Sequence, residues 1–295
     1  MASLKETKGR IASVKSTLKI TSAMKMVASA KLHKAQNAIG NMLPYERKLR
    51  EMLQLLLSSV QVSKAGTERL SESNAGHHSD AGRVVIVAIG SNSSLCGGFN
   101  GNVVREVKSR IYALKVDGWE VEVISIGKKV ADPLRKMGYP SPEDWNELVA
   151  HPSYSMADDL AKKLQKGFSE GKYDRVELIY NHFVSTGTQK VVCDTYLPMA
   201  PLSVEGVSRE WPEDLIIEPS AEEMLADLLP RVRSLRIYTV ILDSVAAEHA
   251  ARTIAMQTAT DNGENILQEL TLEYNKGRQQ KITSEILDIV GGSMQ

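Results

Sequence analysis

Large rings are scarce in this chain: 5% of its 295 residues are aromatic, and phenylalanine occurs three times. Compact enzyme cores lean on such rings. The deficit points instead to long helices packed through Leu, Ile, Val, Met and Ala, which the 42% hydrophobic content can supply. Cysteine is nearly absent too, with Cys96 and Cys193 far apart in the sequence. That is neither a disulfide framework nor a zinc ligand set, and it suits a reducing compartment. Net charge is zero, 36 Lys+Arg against 36 Asp+Glu, which argues against a uniformly basic nucleic-acid binder and against a highly acidic disordered chain. No apolar run approaches the ~18 residues of a membrane span. Lys5, Glu6, Lys8 and Arg10 interrupt any N-terminal signal sequence, and the helical pattern continuing from there reads against a removable leader. Also missing are the phosphate loop G-x-x-x-x-G-K-[ST], H-E-x-x-H and G-x-S-x-G. The chain carries no self-sufficient hydrolase or transferase signature.

The neutral total hides an uneven distribution. Residues 1–40 hold eight Lys/Arg and one acid, Glu6, whereas residues 241–295 hold four basic residues and eight acids. Opposite signs at opposite ends attract if the ends lie side by side; two solvated helix faces are the plain alternative. The N-terminal stretch is also the most periodic. Alternating steps of three and four run from Ile11 through Val14, Leu18, Thr21, Lys25, Ala28, Leu32, Ala35, Ile39, Met42, Glu46, Leu49, Leu53, Leu56 and Val60, and twelve of these fifteen positions are apolar. A 3.5-residue repeat held this long specifies a left-handed coiled coil, with a kink expected at Pro44. Ile20, Met24 and Val27 fall nearly opposite that seam, giving the helix a second apolar side.

The C-terminal stretch offers a partner. From Val245 the same stepping gives His249, Arg252, Met256, Ala259, Gly263, Ile266 and Leu270, a seam rich in small residues that permit close approach. Ile282, Ile286 and Ile289 form another face, and Gly291-Gly292 reads as a helix stop. Pro230 and the β-branched run Ile237–Ile241 leave the start of this helix open, and local propensity allows a strand there.

Between the ends, strand-like and helix-like segments alternate. Arg83–Gly90, Trp119–Gly127, Arg175–Phe183 and Lys190–Tyr196 read as strands; residues 102–115 and Ser155–Phe168 read as helices. This order implies a mainly parallel, helix-covered sheet, with room for an antiparallel edge. The expected organisation is a helix over 1–62, a polar linker over 63–82 containing His77-His78, a sheet domain over 83–215 and a second helix over 216–295. Two adjacent histidines without a third ligand read as solvent-facing loop rather than a metal site.

One segment could carry chemistry. Leu95-Cys96-Gly97-Gly98-Phe99-Asn100-Gly101 lies between the first strand and a helix, where glycines can cradle a phosphate. The spacing is not G-x-G-x-x-G, and no suitable acid follows the second strand, so tight turn packing is the favoured reading. Cys96 has no histidine nearby in sequence to activate it. A nucleotide-binding α/β enzyme with helical dimerisation arms therefore stands as the alternative to a mechanical, non-catalytic chain. A nucleic-acid binder using Lys8, Lys15 and Lys19 is a further alternative.

Three blocks resemble the γ subunit of F-type ATP synthases: Ile20–Leu32 (ITSAMKMVASAKL), Leu95–Asn100 (LCGGFN), and Ala247–Gly292 with AEHAARTIAM, ATDNGENI, LEYNKGRQQKIT and SEILDIVGG. Together they extend the resemblance over essentially the whole chain. Ser91-Asn92-Ser93-Ser94 stands where that family usually has a charged turn, and no inserted regulatory cysteine pair of the chloroplast kind is present.

The resemblance implies a mixed α/β fold: a long antiparallel coiled coil of the terminal helices plus a central Rossmann-like sheet domain. It implies a rotor shaft inside a ring of three α and three β subunits, with the sheet domain as a foot on the membrane c-ring and the ε subunit beside it. Mg-ATP and Mg-ADP would bind to α and β, leaving no cofactor, no metal and no catalytic residue in this chain. The expected location is peripheral, on the cytoplasmic face of a bacterial plasma membrane, with no nucleic-acid partner. By the same resemblance Met24, Lys25 and Arg252 would lie where the shaft passes the β subunit. Arg278, Gln279, Thr283 and Glu285 would meet a β-subunit loop, and Glu218 would lie near the c-ring.

Overall fold

The computed structural model describes residues 4–61, 82–199 and 217–292; the expected linker with its histidine pair lies outside them. The chain forms two compact units, one made of residues 1–30 and 252–295, the other of residues 31–251. Helices α1 (Leu4–Gln61) and α6 (Ala221–Gly292) each contribute residues to both.

The larger unit is built on a four-stranded sheet ordered β2-β1-β3-β4, from β1 (Arg83–Ile89), β2 (Glu120–Ile126), β3 (Arg175–Ser185) and β4 (Thr188–Leu197). β1 pairs in parallel with both β2 and β3, and β3–β4 is an antiparallel hairpin at the edge. Six consecutive residues of β1 are buried, as a central strand covered on both faces requires. The period of two sorts them. Val84, Ile86 and Ala88 pack with Val103, Val107, Ile111 and Leu114 of α2 (Phe99–Val116) and with Val130 and Leu134 of α3 (Lys128–Lys136). Val85, Val87 and Ile89 share the opposite core with Leu160 and Leu164 of α5 (Tyr154–Ser169), Leu32 and Ala35 of α1, and Ile237, Ile241 and Val245 of α6. Leu148 of the short α4 (Glu147–Ala150) joins that core. At the start of α5, Ser153 Oγ accepts the Met156 N–H at 3.3 Å, an N-cap that ends the preceding loop.

Two features left open by local propensity resolve as helix. The β-branched run Ile237–Ile241 is helical, because burial at a helical spacing on the sheet outweighs intrinsic preference. α1 runs on through Pro44, which stands inside the helix.

In the smaller unit α1 and α6 lie side by side and antiparallel. A Cβ on Gly277 would lie 3.3 Å from Leu4, and one on Gly263 would lie 2.7 Å from Leu18. Thr260 Oγ1 donates to Thr21 Oγ1 at 2.9 Å, and Lys25 donates to Gln257. Positions rise along one helix as they fall along the other. In both units the α1 seam is the covered face: every described seam side chain from Ile11 to Leu56 is buried or half-buried. On α6 the seam holds at Arg252, Met256, Ala259, Gly263 and Leu270, but half-buried Leu267 replaces Ile266, which is 47% exposed. A strict 3.5 stepping drifts off a straight helix by about 20° per heptad.

Candidate functional site

In open α/β sheets small ligands bind at the carboxyl ends of the strands, where the chain order reverses. Here that point is the end of β1, which has β2 on one side and β3 on the other. Asn100 fills it. Its Oδ1 accepts the Ser91 N–H at 2.9 Å, and its Nδ2 donates to Ser91 Oγ at 2.8 Å and to Cys96 Sγ at 3.2 Å. Ser91 Oγ donates in turn to Ser93 O at 2.7 Å, and buried Asn181 of β3 donates to Phe99 O at 3.2 Å. Behind it, Gly127 at φ +106° brings its backbone against Gly90, where a Cβ would lie 2.7 Å from the Gly90 carbonyl carbon.

The polar groups that a phosphate would meet are thus bonded to one another, and the Ser-Asn-Ser-Ser turn serves the chain's own packing. Cys96 is buried with Phe99 and Ala247, with no histidine among its bonded partners. A cavity of about 740 Å³ lies instead at the opposite ends of the strands, around Arg83, Glu120, Tyr139 and Lys163. Its cations are already paired, Arg83 with Glu120 at 3.6 Å and Lys163 with Glu143. Among the described residues no cluster of His, Cys, Asp and Glu could hold a metal ion.

The other candidate is the outer surface of the terminal helices in the smaller unit. Ile20 and Val27 are each 57% exposed and Met26 is 69% exposed. Ile254, Ile266 and Leu272 are exposed on α6. Every residue from Arg278 to Val290 is exposed, including Ile282, Ile286, Leu287, Ile289 and Val290. Leu4, the first described residue of α1, lies against Gly277, and α6 continues beyond that contact to Gly292. Apolar side chains exposed in this number along a helix pair mark a length that another body covers.

The site residues expected from sequence divide into inward and outward groups. Lys25 is half-buried and bonded to Gln257, which donates onward to Asp261 at 2.6 Å. Arg252 is buried and has an interaction partner, and Met24 is half-buried. Arg278, Gln279, Thr283 and Glu285 are exposed on the distal turns. There Thr283 Oγ1 donates to Gln279 O at 2.9 Å, and Lys281 pairs with Glu285 at 3.7 Å. Arg278 has no ion pair among the described residues. Glu218 is exposed just before α6, where Ser220 Oγ accepts the Glu223 N–H at 3.2 Å as the helix cap. Sequence reasoning passed over Gln257, whose polar side chain marks an internal bond, and over Met26, Leu272 and Leu287, which lie off the stepping it followed.

No helix among the described residues is long and apolar enough to cross a membrane. The sequence pattern of the ATP synthase family matches residues 3–294. The chain is 49% identical to the ATP synthase gamma chain of Bacteroides thetaiotaomicron and 50% identical to that of Phocaeicola vulgatus, in each case across the full length of both chains. A chain in the mitochondrial ATP synthase of Euglena gracilis, solved with F1 and the c-ring, shares its fold at a TM-score of 0.64 and 18% identity, covering 99% of this chain and 93% of that one. A self-bonded sheet end, an uncovered helical surface and full-length similarity agree: this chain belongs to the ATP synthase gamma chain family.

Proposed function

We propose that the chain is the central rotor shaft of an ion-translocating ATP synthase and breaks no bond itself. The carrying observation is the run of exposed apolar residues on α6 beyond Gly277, a helix end that needs a sleeve of other proteins. A ring of three α and three β subunits supplies such a sleeve. Mg-ATP and Mg-ADP sit in that ring, in keeping with the sheet end here being filled by Asn100 and Ser91.

Coupling follows from asymmetry. Two helices of different sequence inside a pseudo-threefold ring present a different surface to each β subunit, so each orientation favours a different set of open and closed sites. Only such differential contact energy can shift a conformational equilibrium. Ion flow through the c-ring turns the shaft and drives product release; hydrolysis turns it the other way. The sheet domain with Glu218 meets the c-ring and ε, and the complex sits on the cytoplasmic face of a bacterial plasma membrane.

Arg278 is the sharpest contact. It is exposed, without an ion pair among the described residues, and able to hold a carboxylate through two parallel bonds. Met24, Lys25, Arg252, Gln279, Thr283 and Glu285 support the same surface, Lys25 and Arg252 by shaping the helix pair from within. Purification of the native complex through a tag on this chain should recover α and β at three copies each. Arg278→Glu should lower coupled turnover by about tenfold, as loss of one charge-assisted contact allows, while the sheet unit keeps its melting temperature. Full turnover in that variant removes the contact; absence of α and β from the purified complex removes the shaft.

A further inference from the structure

The sheet and α6 meet in the larger unit through apolar side chains, among them Ile237, Val240, Ile241 and Val245. Such contact is non-directional and resists sliding along the helix axis only weakly. Polar links at three points along the helix interrupt it among the described residues. Tyr196 of β4 donates its hydroxyl to Arg233 O at 3.1 Å. Arg236 donates to Asp194 at 2.8 Å, and Tyr180 donates to the same carboxylate at 3.1 Å. Asp243 makes the third. Its Oδ1 accepts the Phe183 backbone N–H at 3.0 Å, and its Oδ2 lies 2.6 Å from His182 Nδ1.

Positions 233, 236 and 243 share one face of α6 and span roughly 15 Å of its length at 1.5 Å per residue. Asp243 alone among them grips the backbone of the sheet, and its side chain is only 19% exposed, so water competes little for the bond. Charge on the acceptor strengthens it further.

We propose that Asp243 is a positioning residue for torque transfer, its carboxylate pinning the end of β3 to α6 so that load on the sheet reaches the helix through a directional bond. This rests on the rotor reading above. Without the pin, the sheet slips against the helix under load, whereas turnover without load needs no such grip.

The test uses the whole complex in membrane vesicles. ATP hydrolysis is measured with an uncoupler present, and ATP-driven cation uptake is measured without it, protons by a pH-sensitive dye and sodium by its radioisotope. Asp243→Ala removes both bonds, and Asp243→Asn keeps an acceptor for the Phe183 N–H while losing the charge. Asp243→Glu keeps the charge on a longer stem. The ratio of uptake to uncoupled hydrolysis should fall roughly three- to tenfold in Asp243→Ala, less in Asp243→Asn, and return most of the way in Asp243→Glu, with uncoupled hydrolysis unchanged. An unchanged ratio in assembled Asp243→Ala overturns the proposal, as does an equal fall in uncoupled hydrolysis, which marks a merely structural bond. Should Asp243→Ala fail to assemble, Asp243→Asn decides by the same ratio. Failure of the rotor reading shows separately, as ATP-driven cation uptake that persists in a complex assembled without this chain.

Discussion

The two units solve the same problem, covering apolar surface, in opposite ways. In the larger unit β1 is buried along six consecutive residues, and each face of the sheet finds its own helices. In the smaller unit two helices cover one seam and leave Ile20, Met26, Val27, Leu272 and Ile289 facing outward. Stability therefore comes from inside the first unit, while the second depends on whatever encloses it. Substitutions should divide accordingly: harm to folding in the larger unit, harm to assembly in the smaller.

The largest folding effect is expected at a buried ion pair. Glu177 of β3 is 1% exposed, and Arg110 of α2 binds it through two nitrogens at 2.6 and 2.5 Å. Burial alone would raise the Glu177 carboxyl, but the Arg110 guanidinium holds it below its ordinary range, with Arg175 adding to the effect. Burial, with Glu177 alongside, pushes the neighbouring Cys193 thiol up to about 12, which keeps it unreactive. Arg110→Ala leaves the buried carboxylate with only Arg175, 3.6 Å away, and should cost about 3 kcal/mol, read as a lowered denaturation midpoint of the larger unit. The sign with pH follows. A carboxyl depressed in the folded state contributes stability that is fully present above its unfolded value of about 4.3 and is lost as pH falls through the lower folded one. Wild-type stability should therefore drop on acidification below about pH 4.3, and Arg110→Ala should remove that share of the drop. If Arg110→Ala melts with wild type, the larger unit's dependence on its own interior is wrong.

A smaller effect is expected where the helices touch. A Cβ on Gly263 would lie 2.7 Å from the far end of Leu18, so Gly263→Ala is met by a turn of that side chain. Gly263→Val adds branched bulk and should separate the pair locally, at about 1–3 kcal/mol. Hydrogen exchange should quicken around Leu18 and Thr260 while the sheet amides keep their protection. Uniform loss of protection would mean that the two units fold as one.

Much of this was legible in the residues. The seam from Ile11 to Leu56 is the covered face of α1, because a 3.5 repeat has one geometric meaning. The strands announced themselves by β-branched runs, and the parallel order by the helices between them. Ile237–Ile241 left the start of the helix open because its β-branched residues are buried on a sheet as part of a helix, a tertiary effect that local preference does not register. Filling of the sheet end by Asn100 was invisible for a related reason. Its partners Ser91 and Cys96 lie nearby in sequence, but only the turn, with Leu95 at φ 67° and Gly97 at φ 59°, brings the three together. His182 and Asp243 stand 61 residues apart without a motif, so no sequence signal could pair them.

The smallest folding effect, paired with a large functional one, belongs to the far end of α6. Ile286 and Ile289 are 55% and 72% exposed, so replacing both with Ser removes little buried area and should change melting by no more than about 0.5 kcal/mol. Their worth lies in the assembled complex, where each fully buried side chain of this size contributes about 1.5–3 kcal/mol. The double variant should fold as wild type when isolated, yet be outcompeted by wild-type chain for assembly with α and β. The opposite pattern, a melted chain with intact assembly, would mean that these residues pack within their own unit, and the contrast between a self-covered core and a partner-covered helix pair would fail at the place where it is most exposed.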